Sequence, residues 1–351
     1  MLNFTYEALP YRVVFGVGSL SQLPDEVQRL GAHKALVLCT PEQTAVAQRA
    51  ADALGARGVG VYAKAVMHIP IETAQAARAE AKRLGADCCV AIGGGSTTGL
   101  GKAIALESSL PIIAVPTTYA GSEMTPIWGL TEGGVKKTGR DPRVLPKTVI
   151  YDPTLTLSLP ARLSATSGMN AIAHCVEALY APDANPIISM MAEEGIRALA
   201  DGLPIIVRDT QNLDARSNAL RGAWLGGACL GATQMGLHHK LCHTLGGTFN
   251  LPHAETHTIV LPHATHYNAL AAPEAMRRVA HALGAEDAAR GLFDLAVKLG
   301  APIALKQLGM KESDLDLAAD LATRNPYANP APVTHAGVRA LLENAFHGLR
   351  P

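Results

Sequence analysis

Several features are scarce in this 351-residue chain, and each scarcity closes off a class of function. Charge of one sign does not predominate. Thirty Lys and Arg stand against thirty Asp and Glu, so no field recruits nucleic acid or an anionic membrane surface. No apolar run approaches the roughly 20 residues of a transmembrane helix, and the opening MLNFTYEALPYRVVFG lacks the basic and apolar regions of a secretory leader. A cytoplasmic protein is expected. Spaced CxxC pairs are missing as well. Cys39, Cys88, Cys89, Cys175, Cys229 and Cys242 fall mostly inside apolar strand or helix patterns, which predicts reduced core residues. There is no fixed-period repeat, low-complexity tract or long flexible linker. What is abundant is core: 48% of residues are hydrophobic and 17% charged, and the length suits two domains, each with its own interior. The expected partner is a small molecule.

The first part repeats one rhythm of a short β-branched run, a turn and an amphipathic helix. KALVLCT leads into PEQTAVAQRAADALGARG, VGVYAKA leads toward IETAQAARAEAKRLG, and DCCVAIGGGS leads into TTGLGKAIAL before LPIIAVPTT. This alternation predicts an α/β domain with a parallel sheet covered on both faces, over residues 1–152, ending where Asp152 and Pro153 break KTVIYDP. Residues 153–351 carry long helical periods such as PIISMMAEEGIRALADGLPIIV and PEAMRRVAHALG, which predicts an all-α second domain.

Two turns have the chemistry of an anion cradle. In CCVAIGGGSTTGLGK a buried strand runs through Gly93, Gly94, Gly95 and Ser96 into a helix, where backbone N–H groups and the helix dipole suit a pyrophosphate. The spacing is neither the dinucleotide GxGxxG nor the Walker pattern, so a plain strand-to-helix turn is the competing reading. The next strand ends in VPTTYAGSEMT, with Thr117, Thr118, Gly121 and Ser122. Two such turns at neighbouring strand ends favour a nucleotide.

Seven of the thirteen histidines lie between positions 238 and 266. His239 and His243 share a helix face, and Gly246 and Gly247 are expected to end that helix and return His253 toward it. His174 sits on an earlier helix. With His239 and His253 it makes a three-nitrogen set of the sort that holds Zn²⁺ or Fe²⁺. His238, His257, His263 and His266 are read as surface or hydrogen-bonded core residues.

The ordered set FGVGSL, AIGGGS, VPTT with GSE, DP, SGMNAIAHCVEAL, GLHHKLCHTLGGTFNLPH and the closing LPH resembles the iron-containing (group III) alcohol dehydrogenase family, over essentially the whole chain. The resemblance implies a Rossmann-like N-terminal domain and a helical C-terminal domain, dehydroquinate synthase-like in fold, with NAD(P) in the cleft between them. It also implies a metal site of one Asp and three His, at positions that here hold Asn170, His174, His239 and His253. Three departures mark a branch: Asn170 for the only anionic ligand, Gly99 for an Asp in the GGGS motif, and PTTYAGSE for PTTAGTGSE. Together with KAVMHIPIE, KKTGRDPRVLPKTVIYDP and NPYANPAP they resemble the maleylacetate reductase branch.

That branch implies NAD(P)H-dependent reduction of the C=C bond of maleylacetate, and of chlorinated analogues, to 3-oxoadipate in aromatic-compound degradation. An amide at 170 then makes chemical sense. A ketone reduction builds full alkoxide charge, which a Lewis acid stabilises, whereas conjugate reduction builds a delocalised enolate that hydrogen-bond donors can hold. No metal is expected, a residual zinc or iron site on His174, His239 and His253 being the alternative. The roles implied are Gly93 to Ser96, Thr117, Thr118 and Gly121 on the cofactor, and His243 and His253 on the enolate and its proton. Thr40 occupies the position that often selects NAD over NADP, so NADH and NADPH are both expected. For a dicarboxylate substrate the cationic candidates are Lys102, Lys136, Lys137, Arg140, Lys240 and Arg324, with Lys240 and Arg324 preferred and Tyr327 beside the latter. A homodimer is expected for this fold. Rival readings are a metal-dependent alcohol dehydrogenase, a dehydroquinate synthase-like lyase and a nucleotide-binding module without catalysis.

Overall fold

In the computed structural model, which describes residues 4–9, 11–133 and 135–351, the chain groups into two compact units. One is Leu9–Leu159; the other is Pro160–Pro351 together with the described part of Met1–Ala8. The division falls after Leu159 rather than at Asp152. Asp152 explains the difference, because its carboxylate accepts from the backbone N–H groups of Gly18 (3.0 Å), Leu20 (3.0 Å) and Thr154 (3.1 Å), fastening the turn after the last strand to FGVGSL.

The α/β unit is built on a six-stranded parallel sheet in the order β1-β8-β5-β4-β2-β3, with β1 Arg12–Phe15, β2 Ala35–Leu38, β3 Gly58–Tyr62, β4 Cys88–Gly93, β5 Ile112–Pro116 and β8 Thr148–Tyr151. An antiparallel hairpin, β6 Ile127–Glu132 and β7 Val135–Arg140, stands apart from the sheet. The inner strands read as continuous apolar runs because both faces are covered. Val37, Val90, Ile92 and Val115 pack with α1 (Leu23–Arg29) and α2 (Thr44–Ala53), while Leu36, Leu38 and Cys89 pack with α3 (Ile71–Leu84) and α4 (Gly95–Ser108). The strand period of two assigns alternate residues to opposite layers. From β2 the chain steps outward to β3, then returns to place β4 and β5 on the other side of β2. The loops after β2 and β4 therefore diverge at a topological switch point, where open α/β sheets take ligands.

The other unit is helical, with α5 (Ala161–Tyr180), α6 (Pro186–Ile206), α7 (Leu213–Ala232), α8 (Leu237–Phe249), α9 (His253–Asn268), α10 (Pro273–Leu283), α11 (Ala288–Lys298), α12 (Leu315–Thr323) and α13 (His335–His347). α5 is buried from Gly168 to Leu179. Its neighbours reach it through small residues: a Cβ on Gly226 of α7 would stand 2.7 Å from the carbonyl oxygen of Ala171, next to Asn170. α8 does not end at Gly246 and Gly247. It runs through both to Phe249 and closes on Asn250 in the left-handed region (φ 54°), since Asn tolerates that conformation and Pro252 follows. No helix of the described residues is long and apolar enough to cross a membrane.

Candidate active site

Within the α/β unit the structure gathers the glycine-rich turn and its neighbours at the switch point. Gly93 ends β4 with φ 153°. A Cβ there would collide with Thr97 Oγ1 and Gln43 Oε1, two buried oxygens with no hydrogen-bond partner among the described residues. Gln43 Nε2 donates to Thr117 Oγ1 (2.5 Å), and the Thr117 N–H donates to the Gly93 carbonyl (3.1 Å), so the turns after β2, β4 and β5 are tied together. Gly94 approaches Thr118, whose Oγ1 would stand 3.0 Å from a Cβ at 94. Gly121 adopts φ 90° and heads the turn Ser122–Met124. Ser96 is half-buried in the first turn of α4. Thr40 precedes the turn Pro41–Gln43, and its hydroxyl is the main cause holding the exposed Glu42 carboxyl below the usual range. A carboxylate thus stands two residues from the position read for cofactor choice.

Lys102 is not a substrate ligand. It is 1% exposed, and its Nζ donates to the carbonyls of Ser122 (2.7 Å), Thr125 (2.8 Å) and Ile127 (2.7 Å) and to Thr125 Oγ1 (3.0 Å). Burial brings its pKa down to about 7, with Glu123 opposing that shift, and four oxygens around one ammonium favour the charged form. The sequence could not reveal that this lysine closes a turn 20 residues further on. Gly99, one turn along α4, is covered by Ile69, whose side chain fills the space a Cβ would need. His68 (φ 63°) and Ile69 (φ 45°) are in the left-handed region, rare for a β-branched residue. Thr131 of β6 pins them, its N–H donating to the Ile69 carbonyl (3.0 Å) and its hydroxyl to that of His68 (2.8 Å).

In the helical unit α5 presents Asn170 and His174 one turn apart, 4% and 3% exposed. His174 stacks on His239 of α8 at 5.2 Å between ring centroids. His243, one turn on and exposed, lies 6.1 Å from His239 and 6.4 Å from His253 at the start of α9. Asn170 Oδ1, His174 Nδ1 and His239 Nε2 are buried and have no hydrogen-bond partner among the described residues. Burial first, and then His239, His253 and His243, hold the pKa of His174 well below the ordinary histidine value. His257 sits closer in than its sequence context indicates, 4.3 Å from His253 and 5.0 Å from His239. Its Nδ1 is 2.9 Å from His238 Nε2, a buried histidine pair beside Cys242.

The residue the sequence did not flag is Glu177, fully buried on α5 seven positions after Asn170. Its Oε2 is 2.6 Å from His239 Nδ1 and accepts from the backbone N–H groups of Gly236 (3.0 Å) and His239 (3.4 Å). Its Oε1 accepts from the N–H of His238 (2.9 Å) and from the Tyr180 hydroxyl (3.4 Å). The single acid of α5, set in the apolar stretch CVEAL, was the available signal, since Glu is almost never fully buried unless paired.

The carboxylate candidates stand in different surroundings. Lys240 is half-buried on α8 between His239 and Leu241. Arg324 is 61% exposed and donates to Asp320, its i−4 neighbour, at 2.6 Å. The Tyr327 hydroxyl is buried with no partner among the described residues, and burial, then Glu177, raises its pKa. Its segment is locked by a reciprocal amide pair: Asn268 Nδ2 donates to Asn329 Oδ1 (3.0 Å) and Asn329 Nδ2 to Asn268 Oδ1 (2.7 Å). In the α/β unit Lys136, Lys137 and Arg140 lie on β7, and Lys137 pairs with Glu132.

A parallel sheet with glycine-rich turns at its switch point, and a helical unit whose histidines converge on one helix, define the class. The iron-containing alcohol dehydrogenase description matches residues 10–153, the C-terminal description of the Fe-containing alcohol dehydrogenase family matches 164–346, and the chain belongs to this family. Within it, the chain is similar to the maleylacetate reductase of Burkholderia cepacia, 62% identical over 351 residues and all of both chains. It is 58% identical to that of Sphingobium indicum over 350 residues, 100% of this chain and 99% of the relative. The crystal structure of maleylacetate reductase from Agrobacterium tumefaciens superposes with a TM-score of 0.97 at 52% identity, covering all of both chains.

Proposed function

We propose that this protein catalyses the NAD(P)H-dependent reduction of the C=C bond of maleylacetate. The observation that carries the reading is a cluster of buried polar atoms without hydrogen-bond partners among the described residues, Asn170 Oδ1, His174 Nδ1 and His239 Nε2, in a chain 62% identical over its full length to a maleylacetate reductase. A hydride from the nicotinamide adds to the alkene carbon remote from the ketone, the electron pair moves onto the ketone oxygen as an enolate, and a proton on the adjacent carbon completes 3-oxoadipate. The enolate is held by hydrogen bonds, to which the Asn170 amide contributes N–H donors. His243 and His253 supply the remaining donor and the proton. Lys240 and Tyr327 are the carboxylate ligands we favour, since Arg324 is engaged by Asp320. The cofactor pyrophosphate lies on Gly93 to Ser96, with Thr117, Thr118 and Gly121 toward the ribose and nicotinamide. Both cofactors serve, and Glu42 beside Thr40 favours NADH over the doubly charged 2′-phosphate of NADPH. Small-molecule chemistry in the cytoplasm by a homodimer is the setting this reading implies.

The donor set does not suit a divalent ion. Asn170, His174, His239 and His253 are neutral ligands, and both oxygens of the adjacent carboxylate, Glu177, already accept N–H groups. One observation favours a metal: a histidine bonded through one nitrogen to a carboxylate, its other nitrogen bare, is also how metal-binding histidines are held. The test is NADH consumption at 340 nm with maleylacetate, on protein stripped with EDTA and assayed for metal content. Full activity is expected. Activity lost with the metal and restored by Zn²⁺ or Fe²⁺ would make the protein a metal-dependent dehydrogenase.

A further inference from the structure

We propose that Glu177 is a positioning residue that fixes the tautomer of His239, keeping the proton on Nδ1 and presenting Nε2 to the site as a bare acceptor. Glu177 lies at the meeting of two demands. It closes the N-terminus of α8, where Gly236, His238 and His239 direct three backbone N–H groups at its oxygens. Asn329 Oδ1 accepts the remaining early N–H, that of Leu237 (3.4 Å). A helix end favours a carboxylate as the anion, which has no proton to give. The imidazole must therefore donate across the 2.6 Å contact from Nδ1, the shortest of all those Glu177 makes. Helix capping alone would not require it, because the backbone contacts are satisfied without the ring.

Two consequences follow for this chain. A carboxyl group, absent at Asn170, stands seven residues along the same helix, behind the ring of His239. And His239 offers the site a lone pair, so donors for the developing enolate fall to Asn170, His243 and His253; this second consequence alone rests on the reading as a maleylacetate reductase.

The tautomer is read directly from the wild-type protein labelled with ¹⁵N-histidine, in a long-range ¹H–¹⁵N correlation spectrum, with the His239 signals identified by their loss in His239→Gln. We expect a protonated Nδ1 and an unprotonated Nε2. A protonated Nε2, with Nδ1 bare or protonated as well, overturns the assignment, and this measurement depends on neither substrate nor a Glu177 variant. The kinetic arm is Glu177→Gln, which keeps one acceptor but turns an amide NH₂ toward the helix N–H groups. It should lower kcat with maleylacetate ten- to a hundred-fold while KM for NADH stays within about twofold. A folded Glu177→Gln protein with undiminished kcat overturns the positioning role. If the variant does not fold, the wild-type spectrum decides; if wild-type protein leaves maleylacetate unreduced, the proposed function fails while the tautomer is still tested.

Discussion

In the proposed reading Asn170 sets what its neighbouring histidines can hold. An amide can donate and accept but cannot offset two positive charges, so a cation beside His174 and His239 would have no anionic ligand, the Glu177 carboxylate standing behind His239 rather than beside the bare nitrogens. Asn170→Asp should therefore reverse the preference. We expect the variant to take up one equivalent of Zn²⁺ with at least about tenfold higher affinity than wild type, measured by competition with a chromogenic chelator, and to lose maleylacetate reduction in parallel. Equal affinities would mean that residue 170 does not set the charge of the site. Glu177 and Lys102 show where single residues resist reading from sequence. Both are ionisable, both are buried, and both bond to backbone groups of another segment, which no local pattern announces.

At the scale of elements, α8 and α9 bring most of the histidines together, and their ends are set by side chains from elsewhere. The first N–H groups of α8 are spent on Glu177 and Asn329, so its positive end is not an anion site and substrate carboxylates must be met by side chains. The histidine count made α8 and α9 legible as functional, but not the end of α8, because two glycines mid-helix are tolerated when the helix is packed. α9 also carries a titrating load. His263 is 4% exposed, its Nε2 has no partner among the described residues, and burial first, then His266, brings its pKa down to about 4. Between its ordinary value near 6.5 and about 4 the unfolded chain binds a proton the folded protein refuses. Stability is thus intact above that window and falls as the pH falls through it. The loss should reach about 3 kcal/mol at pH 4. In chemical denaturation from pH 7.5 to 4, His263→Gln should lose less stability than wild type by about that amount, with the other buried histidines accounting for what remains. Parallel curves would show that His263 stays protonatable in the fold.

Across the whole molecule, the halves differ in how openly the sequence declares them. Alternating β-branched runs and Ala-rich amphipathic stretches mark β2 to β5 and the helices between them, because each signal is local. The pairing of β1 with β8 joins the two ends of the α/β unit, and β6 and β7 form a hairpin of partly polar strands off the sheet. The first has no short-range signature, whereas Gly133-Gly134 between two strand-like runs is the local mark that the hairpin does carry. The even balance of charge has a kinetic consequence. With a formal net charge of zero there is no net monopole to steer a dianion, so in the proposed reading capture falls to nearby cations, Lys240 being the candidate. We expect kcat/KM for maleylacetate to change by less than about threefold between 20 and 300 mM NaCl; a fall of tenfold or more would reveal a concentrated positive surface.

The contact between Gly99 and Ile69 reaches beyond the folded state into the order in which substitutions can be acquired. A side chain at position 99 would meet the end of the Ile69 side chain, which is buried on a backbone held in the left-handed region by Thr131, so the two positions are coupled. Either the end of Ile69 rotates away or residue 69 becomes smaller. The effect of a substitution at 99 therefore depends on what stands at 69, and the pair is expected to be non-additive.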